Sequence, residues 1–132
     1  MLLNLQSKRK SQSMKNLSRI SATLALAAFA VSAFAHAKLQ SSTPANGATL
    51  SSAPGELRFE YNEAVEPAMS SVKVRGPDNK PVTVEKAEVS KDDDKVLLVK
   101  VPKLPAGAYR VDWSTMGHDG HHTKGTVGFT VK

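Results

Sequence analysis

Residues 56–62, which read ELRFEYN, carry the clearest strand pattern in this chain. The apolar Leu57, Phe59 and Tyr61 alternate with charged residues, and an apolar alternation of period two is typical of a β-strand with one buried face. Segments with related patterns recur along the chain, and no sustained helical stripe appears after residue 35. The further predicted strands lie near residues 38–42, 71–75, 82–89, 95–101, 108–113 and 125–131.

Turn-forming sequences separate these predicted strands. They read PANG at 44–47, GPDN at 76–79, KDDD at 91–94 and PAG at 105–107. Glycine, proline, asparagine and aspartate favour tight turns, so each of these segments can connect two strands. About seven strands joined by short loops predict an all-β domain, either a small antiparallel sandwich or a Greek-key barrel.

Residues 1–35 have the pattern of a secretory signal peptide. Basic residues precede the Ala-rich apolar stretch 20–30, and residues 33–35 read AFA, a small-x-small cleavage site. The apolar stretch is shorter than the roughly 20 residues that a transmembrane helix needs. We therefore expect cleavage after residue 35, export, and no stable membrane insertion. Met14 begins a more typical signal peptide than Met1, so the start of translation stays open.

Removal of residues 1–35 from the 132-residue chain changes its balance of basic and acidic residues. The predicted signal peptide holds five of the 18 basic residues and no acidic residue, so 13 basic and 12 acidic residues remain. This balance argues against nucleic-acid binding, which needs a basic surface in the folded domain. The remaining 97 residues are enough for one domain. The absence of cysteine excludes disulfides and zinc-thiolate, blue-copper or iron–sulfur sites.

Cleavage after residue 35 would make His36 the first residue of the mature protein. Its free amine and its imidazole could then close a chelate ring on one metal ion, since both groups can lose their protons near neutral pH. A histidine left at this position by chance is the alternative. A histidine at the predicted N-terminus indicates a metal site only if a second group of potential ligands is present.

The three other histidines lie in the sequence HDGHH at residues 118–122. In an extended loop, Asp119 and His121 are two residues apart and can face one ion. Together with the amine and imidazole of His36 they would form an N,N,N,O ligand set, which suits Cu(II) in tetragonal geometry better than Ni(II) or Zn(II). The alternative is an ordinary Asp-Gly turn with solvated histidines.

Glu63 has the same parity as Leu57, Phe59 and Tyr61, so it should point toward the covered face or its rim. Three roles are open to it: a metal ligand, a carboxylate hydrogen-bonded to a ligand, and a solvated strand end. Farther along the chain, two aromatic residues alternate on the strand that leads to the histidine loop. These residues, Tyr109 and Trp113, are expected to pack in the core.

These motifs together resemble the CopC family of periplasmic copper-resistance proteins. The resemblance covers essentially the whole mature domain, and its most specific parts are the N-terminal histidine and the Asp-Gly-His motif after the tryptophan strand. The matching segments are HAKL at 36–39, STPANG at 42–47, YNEAVEP at 61–67, GAYRVDW at 107–113 and DGHHTKG at 119–125.

The resemblance implies a periplasmic β-barrel of immunoglobulin-like or cupredoxin-like topology that binds one Cu(II) per chain. The ligands would be the amine and imidazole of His36 with Asp119 and His121. Glu63 falls where some members carry a nearby acidic residue. His118 and His122 lie outside the common motif, and their roles stay open.

The chain departs from some family members in its methionines. Those members carry a Met-rich loop for Cu(I), whereas the mature chain contains only Met69 and Met116. Because thioethers are the soft ligands that Cu(I) prefers, we expect no dedicated Cu(I) site.

The resemblance implies copper sequestration, resistance or transfer without catalysis, and an inner-membrane copper transporter is the candidate recipient. Two alternatives remain open. One is a copper-dependent oxidative enzyme with an N-terminal histidine brace. The other is a structural β-sandwich module.

Overall fold

A computed structural model of the chain describes residues 36–132. The predicted signal peptide lies outside the described residues, so its assignment stays a prediction. Nine strands and two short 3-10 turns, Pro67–Met69 and Pro77–Asn79, make up the regular structure of this part. The strands are β1 (Leu39–Thr43), β2 (Ala48–Leu50), β3 (Glu56–Tyr61), β4 (Ser71–Arg75), β5 (Pro81–Val82), β6 (Glu88–Val89), β7 (Val96–Lys100), β8 (Gly107–Met116) and β9 (His122–Val131).

The strands form two sheets, as the all-β prediction requires. One sheet has the order β1-β3-β7-β6 and the other has the order β2-β9-β8-β4-β5. All neighbouring strands are antiparallel except β2 and β9, which are parallel. The prediction of a small all-β sandwich is confirmed. Among the described residues, no helix is long and apolar enough to cross a membrane.

The structure has nine strands in the described residues, whereas the sequence predicted about seven. The additional strands are short. The segment predicted as one strand near 82–89 forms β5 and β6, which belong to different sheets. β2 was not predicted because its three residues show no alternation long enough to detect. Conversely, β8 and β9 extend to ten residues each and pair along their whole length.

The core lies between the two sheets and follows the alternation of the strands. Leu57, Phe59 and Tyr61 are buried, and the neighbouring Arg58 and Glu60 are partly exposed. Burial of a large apolar side chain contributes about 1.5–3 kcal/mol, so this strand supplies a large share of the stability.

Two aromatic residues of β8 are buried, as expected from their alternation. Tyr109 stacks on Phe129, and Trp113 makes an edge contact with Tyr61. Residue 125 is opposite Trp113 in β9, and a Cβ atom there would lie 2.6 Å from the indole ring. Glycine at this position is what allows the ring to lie flat against the neighbouring strand.

Candidate metal centre

The loop between β8 and β9 carries the Asp-Gly-His motif. Two backbone hydrogen bonds close this loop: the amide of Gly117 donates to the carbonyl of His121 at 3.2 Å, and the amide of Gly120 donates to the carbonyl of Gly117 at 3.0 Å. Gly120 has a φ of +81°, which glycine adopts without steric cost. The motif therefore forms a tight hairpin loop at one end of the sandwich.

Asp119 and His121 contact each other within this loop. Oδ1 of Asp119 accepts the backbone N–H of His121 at 3.0 Å, and its Oδ2 lies 3.0 Å from Nδ1 of the same residue. The backbone hydrogen bond is the main cause that lowers the pKa of Asp119, and the imidazoles of His121 and His36 lower it further. Asp119 is therefore a carboxylate at neutral pH and can act as an oxygen ligand.

His36 reaches the same loop from the other end of the described chain. Its Nδ1 lies 3.4 Å from Oδ2 of Asp119, and its ring centroid lies 4.5 Å from that of His121. One potential ligand atom from each of the three residues lies within 4.8 Å of the other two. The side chains of His36 and His121 remain 45% and 64% exposed, so the group is open to solvent.

A pair of threonines, one buried and one partly exposed, holds the chain next to His36. The hydroxyl of Thr123 donates to the carbonyl of Ala37 at 2.6 Å and lies 3.3 Å from the hydroxyl of Thr115. Ala37 and Thr115 are both fully buried. Because Ala37 follows His36 directly, this contact fixes the backbone beside the first predicted ligand.

Asn62 holds the next residue of the chain. Its side-chain oxygen accepts a hydrogen bond from the backbone N–H of Lys38 at 2.7 Å. Its backbone N–H donates to the carbonyl of Lys38 at 3.0 Å. The sequence pattern did not predict these anchoring residues. A signal was present for Thr115, since it continues the buried parity of Tyr109, Val111 and Trp113.

Glu63 lies beside the three-residue group without belonging to it. Its Oε1 is buried and has no hydrogen-bond partner among residues 36–132. A Cβ atom at Gly117 would lie 2.6 Å from this oxygen and 3.0 Å from Oδ1 of Asp119. The two carboxylates therefore converge on one glycine, and a larger residue at position 117 would collide with both.

The two remaining histidines point elsewhere. Nε2 of His118 lies 3.1 Å from Oε1 of Glu66, and this pair is separate from the three-residue group. His122 begins β9, is exposed, and pairs with Met116 across the hairpin. Of the histidines, the structure brings only His36 and His121 together with Asp119.

Two imidazoles and a carboxylate, with a second carboxylate close by, form a nitrogen and oxygen donor set. Such a set fits a divalent transition metal of intermediate softness, and Cu(II) leads the affinity order for these donors. The fold and this centre thus define a small β-sandwich with a candidate metal site at one end.

The comparison with known families identifies the class of this β-sandwich. The sequence model of the CopC domain matches residues 39–132, and the chain belongs to the CopC family of copper-binding resistance proteins. The family prediction is confirmed. The matched region begins three residues after His36, so the role of that residue remains a prediction.

Two of the three named relatives below carry copper in their names. The chain is 38% identical over 119 residues to Copper resistance protein C of Pseudomonas syringae pv. tomato, with 83% of this chain and 93% of the relative covered. It is 37% identical to Protein YobA of Escherichia coli K12, with 76% and 82% covered. It is 35% identical to Copper transport protein CutJ of Bacillus subtilis over 74% of this chain, but it spans only 18% of the length of CutJ.

Solved structures agree with the fold. CopC from Methylosinus trichosporium OB3b superposes with a TM-score of 0.69 at 29% identity, with 74% of this chain and 94% of that one covered. PcoC, a methionine-rich copper resistance protein from Escherichia coli, superposes with a TM-score of 0.67 at 31% identity, with 74% and 100% covered.

Proposed function

We propose that this protein is exported, processed after residue 35, and binds one Cu(II) through His36, Asp119 and His121. The observation that carries the proposal is the convergence of these three side chains from opposite ends of the domain. After processing, the amine of His36 would add a fourth donor next to its imidazole. The nitrogen-rich set that results suits Cu(II) in tetragonal geometry.

Glu63 supports this ligand set through its charge and its position. Its buried oxygen lies on the same glycine as Asp119, and no hydrogen bond within the described domain compensates it. A bound cation would provide that compensation. We therefore assign Glu63 to the metal centre, either as a direct ligand or through a hydrogen bond to one.

The proposed role is to sequester copper in the periplasm or to carry it to a recipient. The copper names of the relatives support copper handling. In CutJ, a copper transport protein, the matching stretch is a small part of a much longer chain. This arrangement supports a membrane copper transporter as the recipient.

A dedicated Cu(I) site is not part of the proposal. Met69 lies in the Pro67–Met69 turn with 53% of its surface exposed, and Met116 ends β8. Two methionines without a methionine-rich loop offer few of the soft sulfur ligands that Cu(I) prefers.

Binding is favoured over oxidative catalysis because of where the aromatic residues lie. An enzyme that acts on polysaccharides would present aromatic rings on a broad exposed surface. In the described domain all five aromatic residues are buried: Phe59, Tyr61, Tyr109, Trp113 and Phe129.

The proposal is tested by Cu(II) titration of the exported protein beside two single-residue variants. His121→Ala removes a proposed ligand, and we expect its affinity to fall by about 100-fold or more, since loss of a partner that only supports a ligand already costs about 10–100-fold. His118→Ala is the matched control, because it lies in the same loop but contacts Glu66 instead. Equal affinities for both variants would contradict the proposed ligand set.

A further inference from the structure

One outer surface of the sandwich is strongly basic. Alternate residues of β4, β8 and β9 point away from the core, because the residues between them, such as Val74, Val111 and Val127, are buried. The outward positions of these strands include four exposed cations. We call this surface the basic face, and its charged members are Lys73, Arg75, Arg110 and Lys124.

The acidic residue on this face offsets only part of that charge. Asp112 accepts hydrogen bonds from Nε of Arg110 at 3.0 Å and from the hydroxyl of Thr126 at 2.8 Å. Lys73, Arg75 and Lys124 form no salt bridge within the described part of the chain. Arg75 acts on Asp112 at longer range. Four cations and one carboxylate therefore leave this face with a surplus of three positive charges.

The basic face is concave. A depression of about 530 Å³ lies in it, lined by short residues such as Ser71, Ser114 and Thr126, by three cations and by one carboxylate, namely Lys73, Arg110, Lys124 and Asp112. Short residues between long cationic ones leave room for a projecting side chain. A carboxylate that entered the depression would meet three cations, while Asp112 is already hydrogen-bonded to Arg110 and Thr126.

The basic face runs into the metal centre. In the β8–β9 register, Ser114 pairs with Lys124, and Met116 pairs with His122. Directly paired residues project on the same side of a sheet, and so do residues two apart along a strand. The face therefore ends at Met116 and His122, and His122 follows the proposed ligand His121 in the chain.

The end of the sandwich that holds the candidate metal centre carries charges of both signs. Glu63, Glu66 and Asp119 lie there, and the amide of Val65 donates to the carbonyl of Asp94 at 3.1 Å, which brings the acidic loop 92–94 with its flanking lysines to the same end. Mixed charges, of which a bound Cu(II) would offset two more, give an acidic partner no strong attraction to this end. The same partner is attracted to the basic face, which leads to the metal loop from the side.

The opposite sheet does not offer an equivalent surface. Its central strand β3 exposes Glu56, Arg58 and Glu60 in alternation, and two of these form a salt bridge. Charges of both signs cancel at a distance, so an acidic partner has no preference for that sheet. The two sheets therefore differ in the partner that each can attract.

We infer that the basic face docks an acidic segment of the protein that accepts copper, with the acceptor's metal-binding group next to His122. The inference rests on the proposed function, because it concerns the release of copper from the same centre. Complementary charge mainly speeds association and fixes orientation. The structure thus assigns this sheet to copper transfer and the end loop to copper retention.

The test uses two synthetic acceptor peptides with the same N-terminal copper chelator. One ends in four glutamates and the other in four glutamines. The exported protein is loaded with Cu(II), and transfer to each peptide is followed by stopped-flow absorbance at low ionic strength. We expect transfer to the glutamate peptide to be at least about tenfold faster, since electrostatic steering raises association rates by about 10–1,000-fold.

A charge-matched pair of variants locates the effect. Lys73→Gln/Arg75→Gln/Lys124→Gln removes three charges from the basic face, and Lys86→Gln/Lys100→Gln/Lys103→Gln removes three from other surfaces. We expect the first variant to lose the preference for the glutamate peptide and the second to keep it. Equal behaviour of the two variants would overturn the inference. So would loss of the preference on addition of inorganic phosphate at constant ionic strength, which would indicate a small-anion site.

Two further measurements distinguish a protein-docking surface from a membrane-binding surface and from a domain that does not bind copper. Flotation with phosphatidylglycerol vesicles that depends on the three face residues, combined with no peptide preference, would assign the face to a membrane and overturn the inference. Equilibrium Cu(II) affinity is measured for every variant. Absence of tight copper binding in the wild type would refute the proposed function itself, whereas unchanged affinity with no peptide preference would refute only the docking surface.

Discussion

The interior of the sandwich and the end with the candidate metal centre are built on opposite principles. The interior is a continuous apolar cluster in which Phe59 is 2% exposed, and Thr115 is the one buried polar residue of the described domain. At the end with the candidate metal centre, polar side chains from distant parts of the chain converge in a partly exposed group. His36 and His121 keep about half of their surfaces in solvent.

Because of this difference, stability and the proposed copper binding depend on different residues. The interior is stabilised by burial of apolar surface, which depends on the sheets and not on any ion. The end with the candidate metal centre contains acids held close together, including a buried oxygen of Glu63 without a hydrogen-bond partner in the described domain. Such a group costs free energy until a cation compensates it. Apolar burial in the interior therefore offsets the free-energy cost of the acidic groups at the candidate metal centre.

The largest expected effect comes from the interior. Phe59→Ala should lower the free energy of unfolding by about 3–5 kcal/mol, because the substitution leaves a cavity in a fully buried position. Urea denaturation measures this loss. Glu56→Ala, at an exposed position of the same strand, is the control and should change stability by less than about 0.5 kcal/mol. A similar loss for both would contradict the central role of the interior.

The second effect is that the stability of the fold and the binding of copper depend on pH in different ranges. Hydrogen bonds from Thr126 and Arg110 lower the pKa of Asp112, and hydrogen bonds from Ser41 and Arg58 lower the pKa of Glu60. A carboxyl with a lowered pKa in the folded state adds stability that is fully present above its ordinary pKa, declines as pH falls below that value, and is lost once pH has fallen through the lowered value. The fold should therefore persist at about pH 5, above the ordinary carboxyl range.

Copper binding should respond to pH in a different range. An amine and an imidazole take up protons between about pH 5 and 8, and protons compete with the metal for the same lone pairs. Between pH 7.5 and 5 we expect Cu(II) affinity to fall on the order of 100-fold, while far-ultraviolet circular dichroism stays unchanged. Affinity that is flat over this range would argue against amine and imidazole ligands.

The third effect concerns the anchor between the two regions. Thr123→Val removes the hydroxyl that holds the carbonyl of Ala37, and we expect Cu(II) affinity to fall by about tenfold because His36 is no longer fixed. Thr123→Ser restores the hydroxyl and should restore both the affinity and the paramagnetic resonance spectrum. An affinity loss in the serine variant equal to that in the valine variant would indicate a packing defect instead.

The smallest effect is a substitution that should raise thermal stability and lower Cu(II) affinity. Glu63→Gln replaces a carboxylate whose buried Oε1 has no hydrogen-bond partner in the described domain by a neutral amide. The metal-free protein should therefore melt at a slightly higher temperature while Cu(II) affinity falls by a few-fold. Calorimetry and titration on the same preparation measure the two changes. Glu66→Gln, next to His118, is the control and should leave copper affinity unchanged. A more stable Glu63→Gln variant with full affinity would remove Glu63 from the metal centre.

The fold was predictable wherever strands are long enough to show alternation. β3 repeats an apolar residue at every second position from Leu57 to Tyr61, and its prediction agrees with the observed bounds. The two-residue strands β5 and β6 could not be separated in the sequence, because their assignment to different sheets depends on pairing with β4 and β7. Local pattern carries no information about such distant partners.

The grouping of the three predicted ligands could be anticipated from the sequence, but the contacts that support it could not, and the role of the three residues as ligands stays a prediction. Asp119 and His121 lie two residues apart, so their proximity follows from the chain itself. The approach of His36 depends on Thr123 and Asn62, which hold residues 37 and 38 through hydrogen bonds across the fold. A threonine or an asparagine at these positions looks ordinary in the sequence, and only the folded chain gives it a role.

Copper binding at the proposed N-terminus is tested by comparing a form of the protein that begins at His36 with a form that has one alanine before it. Both are titrated with Cu(II) and examined by paramagnetic resonance. We expect tight one-to-one binding with a nitrogen-rich tetragonal spectrum for the first form, and a loss of about 100-fold or more for the extended form, since its amine is no longer beside the imidazole. Equal affinity and identical spectra for the two forms would contradict copper binding by the N-terminal amine and imidazole.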